Sequence, residues 1–325
     1  MSGPRKPTRW LVDSLAKAEV DFARRMPPLI AAFGFGYRRG EPGQFKIDLA
    51  SLYPHVELWQ SHGQLKCGHL GAAAFAGDDQ LMLAVLALNE DEGGGLIRTT
   101  SDAYRRLVDY TAASGYPHVL RTWTYLSALN HGDGDSERYK QFCVGRARGL
   151  GQALTPNDPA ATVIGRVSSS SPWLQLIWLA AKQPGRAIDN PRQRQPRAYG
   201  RKYGVEPPRF SRAMLMHAKH GPVLFISGTA AVVGEQSMHL NDLAGQFAEC
   251  AHNLEAVLDQ ASYQLAVGSK FGSESQFRVY VRSEERMFEV AGLMQQRFPG
   301  AAFCVLAGEI SRSELLVEIE AVHHF

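Results

Sequence analysis

An α/β fold built from two similar halves is what this sequence predicts, and three observations predict it. Unbroken apolar or period-two stretches, the mark of strands, alternate with stretches whose apolar residues recur every three or four positions, the mark of helices. The alternation runs strand, helix, strand, helix, strand, strand, and then runs again in the same order. The second helix of each run opens on similar wording, Ser136-Glu137-Arg138 in one and Ser283-Glu284-Glu285-Arg286 in the other. We read a diverged internal duplication, although such an order also recurs among unrelated α/β chains. The division is an N-terminal extension (1–28), a first half (29–185), a basic, proline-rich junction (186–212) and a second half (213–325).

The elements follow in order. MSGPRKPTRW is basic, broken by proline and expected to fray. Residues 29–36, LIAAFGFG, read as a short buried strand. Gly34, Gly36 and Gly40 lack the full fingerprint of a nucleotide loop and its following helix, so they read as turn glycines. Strands are expected at 56–60 and within 66–76, and a buried strand or short helix at 81–89, LMLAVLALN. After the Gly93-Gly94-Gly95 connection, 100–113 is amphipathic, with Tyr104, Leu107, Val108 and Thr111 on one side. Strands at 118–127, 162–168 and 173–182 complete the first half around a helix at 136–150. In the second half, a strand at 223–234 leads to a strong helix at 240–260. Its stripe is Leu243, Phe247, Cys250, Leu254, Val257 and Leu258, with Asn241 or Asp242 placed to cap it. A strand at 276–281, a helix at 283–298 and strands at 302–307 and 315–322 close the chain.

Bulk composition narrows the function. With 325 residues, 45% of them hydrophobic and 21% charged, the chain suits a soluble globular protein. A net charge of +3 is too small for a general polyanion binder. Arg186, Arg192, Arg194, Arg197, Arg201, Lys202, Arg209 and Arg212 do crowd one segment. Prolines break that segment and no stacking motif accompanies it, which argues against nucleic acid as a partner. The four cysteines, Cys67, Cys143, Cys250 and Cys304, lack paired spacing and read as reduced thiols of a cytoplasmic protein, not as staples or zinc ligands. Cys67 and His69 have no partner pair nearby, so no metal site is expected. No N-terminal run is apolar enough for a signal peptide or a membrane span.

Chemistry concentrates in three places. On the helix at 136–150, with Ser136 marking its start, Tyr139, Phe142, Cys143, Arg146 and Leu150 share one face. Arg146 therefore points inward. Either its stem lines the core and its head reaches water, or it joins Tyr139, about 10 Å away along the axis, in an anion pocket. On the last strand, a period of two puts Leu316, Glu318, Glu320 and Val322 on one face. A sheet covered on both sides would bury at least one glutamate, raise its pKa and leave a general acid; the alternative is that both face water or pair with arginines. At the junction, AYGRKYGVEPPRFSRA offers the phenols Tyr199 and Tyr203 and the forked guanidinium of Arg212, suited to a carboxylate.

ERYKQFCVGRARGL, YGVEPPRFSRA, FISGTAAVVG and ELLVEIEAV together resemble the chorismatase family, over most of the chain from LIAAFGFG onward. The resemblance implies a fold similar to the trimeric YjgF-like (Rid) proteins: α+β, two pseudo-repeats, mixed sheets with helices on one face, as a monomer or a homotrimer. It implies release of pyruvate from chorismate without metal or cofactor. Glu318 would protonate the enolpyruvyl methylene, the first carboxylate of E-I-E-A facing the pocket in YjgF-like proteins. Tyr139, Arg146, Tyr199 and Arg212 would bind the substrate, the two arginines clamping its carboxylates. Ala230 or Ala231 and Ser311 match positions that steer product choice. Family members form a dihydroxylated cyclohexadiene acid, 3-hydroxybenzoate, or both 3- and 4-hydroxybenzoate. Ser311 departs from the cysteine typical of 3-hydroxybenzoate formers, and LIAAFGFG is similar to the bifunctional synthases. Two rivals stand beside this reading. A Rid-like imine deaminase would need an arginine near Ala302, where the sequence has Gly300-Ala301-Ala302-Phe303. The other is a non-catalytic ligand-binding module.

Overall fold

Strand pairing gives the duplication a physical form. The computed structural model describes residues 12–13, 29–35, 44–47, 49–53, 55–60, 64–155, 157–166 and 172–325. In the first half, β1 (Lys66–Leu70), β2 (Ala73–Gly77), β3 (Leu81–Asn89), β4 (His118–Ser127), β5 (Ala160–Arg166) and β6 (Trp173–Ala181) pair in the order β1-β2-β3-β6-β4-β5. In the second, β7 (Arg186–Ile188), β8 (Ala213–Ala218), β9 (Gly221–Ala230), β10 (Ser275–Val281), β11 (Ala302–Ala307) and β12 (Val317–His324) pair as β7-β8-β9-β12-β10-β11. The two orders are one topology written twice. Each sheet has a single parallel pair, β4 with β5 and β10 with β11. A parallel pair needs a crossover: α2 (Arg138–Leu150) makes the first and α4 (Met287–Arg297) the second. The other helices, α1 (Leu96–Ser114) and α3 (Leu243–Leu265), follow β3 and β9.

Each sheet has its two helices on one face and the other sheet on the opposite face. Tyr104, Leu107, Phe142, Cys143 and Leu150 of α1 and α2 bury against Met82, Leu126, Leu176 and Trp178. The predicted stripe of α3 is buried against Val279, Val317 and Ile319. Between the sheets, Trp123, Tyr125, Ile177 and Leu179 of the first half meet Phe225, Tyr280 and Leu306 of the second. The layers therefore run helix, sheet, sheet, helix. On the helix side of the first sheet, α1 and α2 approach closely because Gly145 has no side chain: a Cβ there would come within 2.7 Å of the Ile97 carbonyl.

Several boundaries differ from expectation. Val12–Asp13, Leu29–Phe35, Gln44–Ile47 and His55–Gln60 form a separate four-stranded sheet, so 29–60 lie outside the first-half sheet. The rest of the 1–28 extension, and Gly36 and Gly40, lie outside the described residues. Within 186–212, β7 already belongs to the second sheet. Residues 81–89, open between strand and helix, are a strand paired along its length with β6. Ser136 does not start α2. It closes a 3-10 turn (Gly134–Ser136) through a reciprocal capping box with Asp133, and the helix begins at Arg138. The last strand is displaced by two residues, because Gln246 of α3 takes the Leu316 N–H at 2.7 Å before the ladder begins. Asp242, one of two candidate caps for α3, fills that role by accepting from the Gly245 N–H.

Candidate active site

The period-two reading of the last strand places both glutamates on the face that looks toward the other sheet, and both are buried, Glu318 at 5% and Glu320 at 4% exposure. Their surroundings differ. Glu320 accepts from Arg121 Nη2 at 2.6 Å, Trp123 Nε1 at 2.8 Å and Arg278 Nη1 at 3.1 Å. Arg278 in turn forks onto Glu57, with two contacts of 2.7 Å. This is a buried lattice of two carboxylates and two guanidiniums, each charge met by its opposite. Glu318 has neither a hydrogen-bond nor an ion-pair partner among the described residues. Burial, and then the negative charge of Glu320, push its carboxyl up to about 8, against the opposing pull of Arg121 and Arg282. Near neutral pH Glu318 keeps its proton, whereas Glu320 is tied into the lattice by its donors.

Glu318 opens into a cavity of about 260 Å³. Tyr139, Tyr199, Arg212, Ala230 and Ser311 line it with Glu318, so the structure gathers most of the residues singled out from sequence. Two of them stand apart: Ala231 and Arg146 are not among the lining residues. Arg146 is 2% exposed, which rules out a head snorkelling to water. Its guanidinium lies over the Phe142 ring, 5.0 Å from the centroid, with Nη2 3.8 Å from the Cys143 sulfur. Its Nε is a buried donor with no partner among the described residues.

Arg212 is held from several sides. Its Nη2 donates to the Arg194 carbonyl and to the Tyr199 hydroxyl, both at 2.8 Å, and its plane faces the Phe210 ring at 5.2 Å. Its Nε is a second buried donor without a partner among the described residues. The remaining arginines of the basic segment are mostly engaged by carboxylates of the same chain. Arg192 meets Glu249, Arg194 meets Glu235, Arg197 and Arg209 share Asp158, and Arg201 meets Asp135. What looks like a polycationic patch in the sequence is a set of internal ion pairs that leaves Arg212 without a carboxylate among the described residues.

Sequence reasoning missed Arg312. It lines the cavity, lies 4.0 Å over the Tyr203 ring and 5.5 Å from that of Tyr199, and forms no salt bridge among the described residues. The Tyr199 ring thus has two guanidiniums near it, Arg212 at 5.8 Å and Arg312 at 5.5 Å from its centroid. The loop carrying Arg312 is pinned by Arg282, which donates to the carbonyls of Ile310, Arg312 and Leu315 at 3.2, 2.8 and 2.8 Å. Gln246 holds the Glu314 carbonyl at 3.0 Å. This loop has no hydrophobic period to read, and its only sequence signal is its place beside Ser311.

A buried carboxyl that keeps its proton shares one cavity with two guanidiniums that have no carboxylate partner among the described residues, Arg312 being held by the Glu235 carbonyl and the Ser237 hydroxyl at 3.0 and 2.9 Å. As a class this is a site in a duplicated α+β scaffold able to hold a small anion beside a protonated acid. The comparisons give that class a family. The model for the N-terminal part of FkbO/Hyg5-like chorismatases matches residues 57–180. A chorismatase of Streptomyces rapamycinicus is 32% identical over 278 residues, covering 82% of this chain and 81% of that one. A 3-hydroxybenzoate synthase of Streptomyces hygroscopicus is 30% identical, covering 83% and 81%. A chorismatase crystal structure superposes with a TM-score of 0.81 at 27% identity, over 91% of this chain and 92% of that one. The chain belongs to the chorismatase family of enzymes. No helix among the described residues is long and apolar enough to cross a membrane.

Proposed function

We propose that this protein releases pyruvate from chorismate and leaves 3-hydroxybenzoate, 4-hydroxybenzoate or both, using no cofactor. The observation that carries the reading is Glu318: a buried, unpaired carboxylic acid that opens into a cavity lined by Arg212 and Arg312. Chorismate carries two carboxylates and an enolpyruvyl ether. The two guanidiniums suit the carboxylates, and Tyr139 and Tyr199 offer phenol donors. The Glu318 carboxyl donates its proton to the enolpyruvyl methylene carbon, and the ether carbon becomes an oxocarbenium centre. The ring carbon–oxygen bond then breaks with its electron pair passing to oxygen, and pyruvate departs. Loss of the proton from the hydroxyl-bearing ring carbon then gives 4-hydroxybenzoate; for 3-hydroxybenzoate that hydroxyl first bonds to the vacated carbon and its bond to the original carbon breaks before the proton is lost. Either way one proton leaves the ring for the one donated, and no water is consumed. Ala230 and Ser311, both on the cavity wall, are the product-steering positions in this reading. Support for a hydroxybenzoate product comes from the relative named 3-hydroxybenzoate synthase.

Purified protein incubated with chorismate and EDTA, its products resolved by chromatography, tests this. Pyruvate and hydroxybenzoate should appear in equal amounts. A dihydroxylated cyclohexadiene acid, whose formation consumes a water, would overturn the product reading. Absence of turnover would favour a binding module.

A further inference from the structure

Besides Tyr139 on the cavity wall, the first half contributes one hydroxyl beside the strand that carries the acid. Pairing between β9 and β12 is regular from Val223 to Ile226, then slips, and resumes at Thr229 opposite Ile319. Ser227 and Gly228 form the bulge, and the Glu318 carboxyl lies against it: a Cβ built on Gly228 would fall 2.0 Å from Glu318 Oε1. The room for the acid is thus the space a side chain at 228 would fill. The bulge is held from across the molecule. The Gly228 N–H donates to Thr162 Oγ1 of β5 at 3.0 Å, and Ser227 Oγ accepts from the Ala161 N–H at 2.8 Å. Thr162 has no freedom in how it uses its hydroxyl. Its one proton goes to Glu320, and its lone pairs receive Arg121 Nη2 and the Gly228 N–H. The ion lattice between the sheets therefore orients the hydroxyl that fixes the bulge.

We propose that Thr162 is a positioning residue for the Glu318 carboxyl: aligned by Arg121 and Glu320, its hydroxyl holds the Gly228 N–H and keeps open the bulge against which the acid lies. The catalytic part rests on Glu318 being the proton donor. Thr162→Val preserves shape and removes the hydroxyl, whereas Thr162→Ser keeps it. With chorismate as substrate, T162V should lower kcat about 10- to 100-fold with KM within about threefold of the parent, because the acid is misplaced while the cavity arginines, Arg212 and Arg312, are untouched. T162S should restore kcat, which a loss of packing alone would not allow. Hydrogen exchange of the Gly228 amide, followed by NMR with labelled glycine, reads the hydrogen bond directly in the parent and in Glu318→Gln. The amide should be protected in both. Parental kcat in T162V beside an inactive E318Q overturns this inference alone. So does a Gly228 amide that exchanges like an exposed loop, even if T162V does not fold. An E318Q enzyme with full turnover overturns the acid assignment itself, and with it the role given to Thr162.

Discussion

The two halves share a topology strand for strand, yet the inward faces of their middle strands could hardly differ more. β6 presents Ile177, Leu179 and Ala181 to the space between the sheets, and β12 presents Glu318 and Glu320 to the same space. The neighbouring strands show why the second arrangement is tolerated. β4 contributes Arg121 and Trp123 and β10 contributes Arg278, and all three donate to Glu320. A carboxylate from one copy is neutralised partly by a cation from the other. A duplicated chain whose sheets face one another can thus keep one copy apolar and place polar groups on the second, with counter-charges drawn from both. Glu318, two residues before Glu320, makes no hydrogen bond to that lattice, and burial without such a partner leaves it a protonated acid.

The largest expected effect separates the two glutamates by function. Glu318→Gln should lower kcat for pyruvate release about 10³-fold or more while the protein still folds, read by a coupled pyruvate assay beside circular dichroism. Glu320→Gln should act first on stability. It leaves Arg121 and Arg278 short of a charge in a buried layer, and urea denaturation should show a loss of about 3–5 kcal/mol. Full activity in E318Q, or parental stability in E320Q, breaks the contrast.

A smaller effect sharpens the account of the cavity. Arg212→Ala and Arg312→Ala should each raise KM strongly, by about 2–4 kcal/mol of lost binding where the charge is desolvated. Arg146→Ala, which removes a buried cation outside the lining, should act mainly on stability. A KM effect for Arg146 larger than for Arg312 would return Arg146 to the clamp that the family resemblance suggested.

Much of this geometry could be read ahead of the coordinates because it follows from periodicity. The α3 stripe, the alternation along β12 that pairs Glu318 with Glu320, and the inward turn of Arg146 are all consequences of 3.6- or 2-residue repeats. Arg146 nevertheless lies outside the cavity lining whereas Tyr139 is part of it. Seven residues along a helix set direction but also an axial offset, and the offset decided. Other features depend on contacts that no local pattern encodes. Arg312 sits in an aperiodic loop positioned by Arg282 and Gln246. Thr162, Arg121 and Glu57 matter only because strands distant in sequence meet in space. The basic junction misleads for the same reason, since the aspartates and glutamates that neutralise it come from elsewhere in the sequence.

The subtlest test is the response to pH. The Glu318 carboxyl, ordinarily near 4.5, is raised to about 8 in the folded protein, chiefly by burial. Below its ordinary value the group is protonated in both states and costs nothing. Between about 4.5 and 8 the unfolded chain releases a proton that the folded chain retains, so stability declines as pH rises, at up to about 1.4 kcal/mol per unit, and levels off above 8. E318Q removes that slope: it should be more stable than the parent above about pH 5, by a margin that grows until about pH 8. The parent's kcat/KM should fall above about pH 8, as the acid loses the proton it is meant to donate. Both curves are set by the same buried carboxyl without a partner. If the stability curves of parent and E318Q run parallel from pH 5 to 8, Glu318 is ionised in the folded state and the contrast with Glu320 disappears.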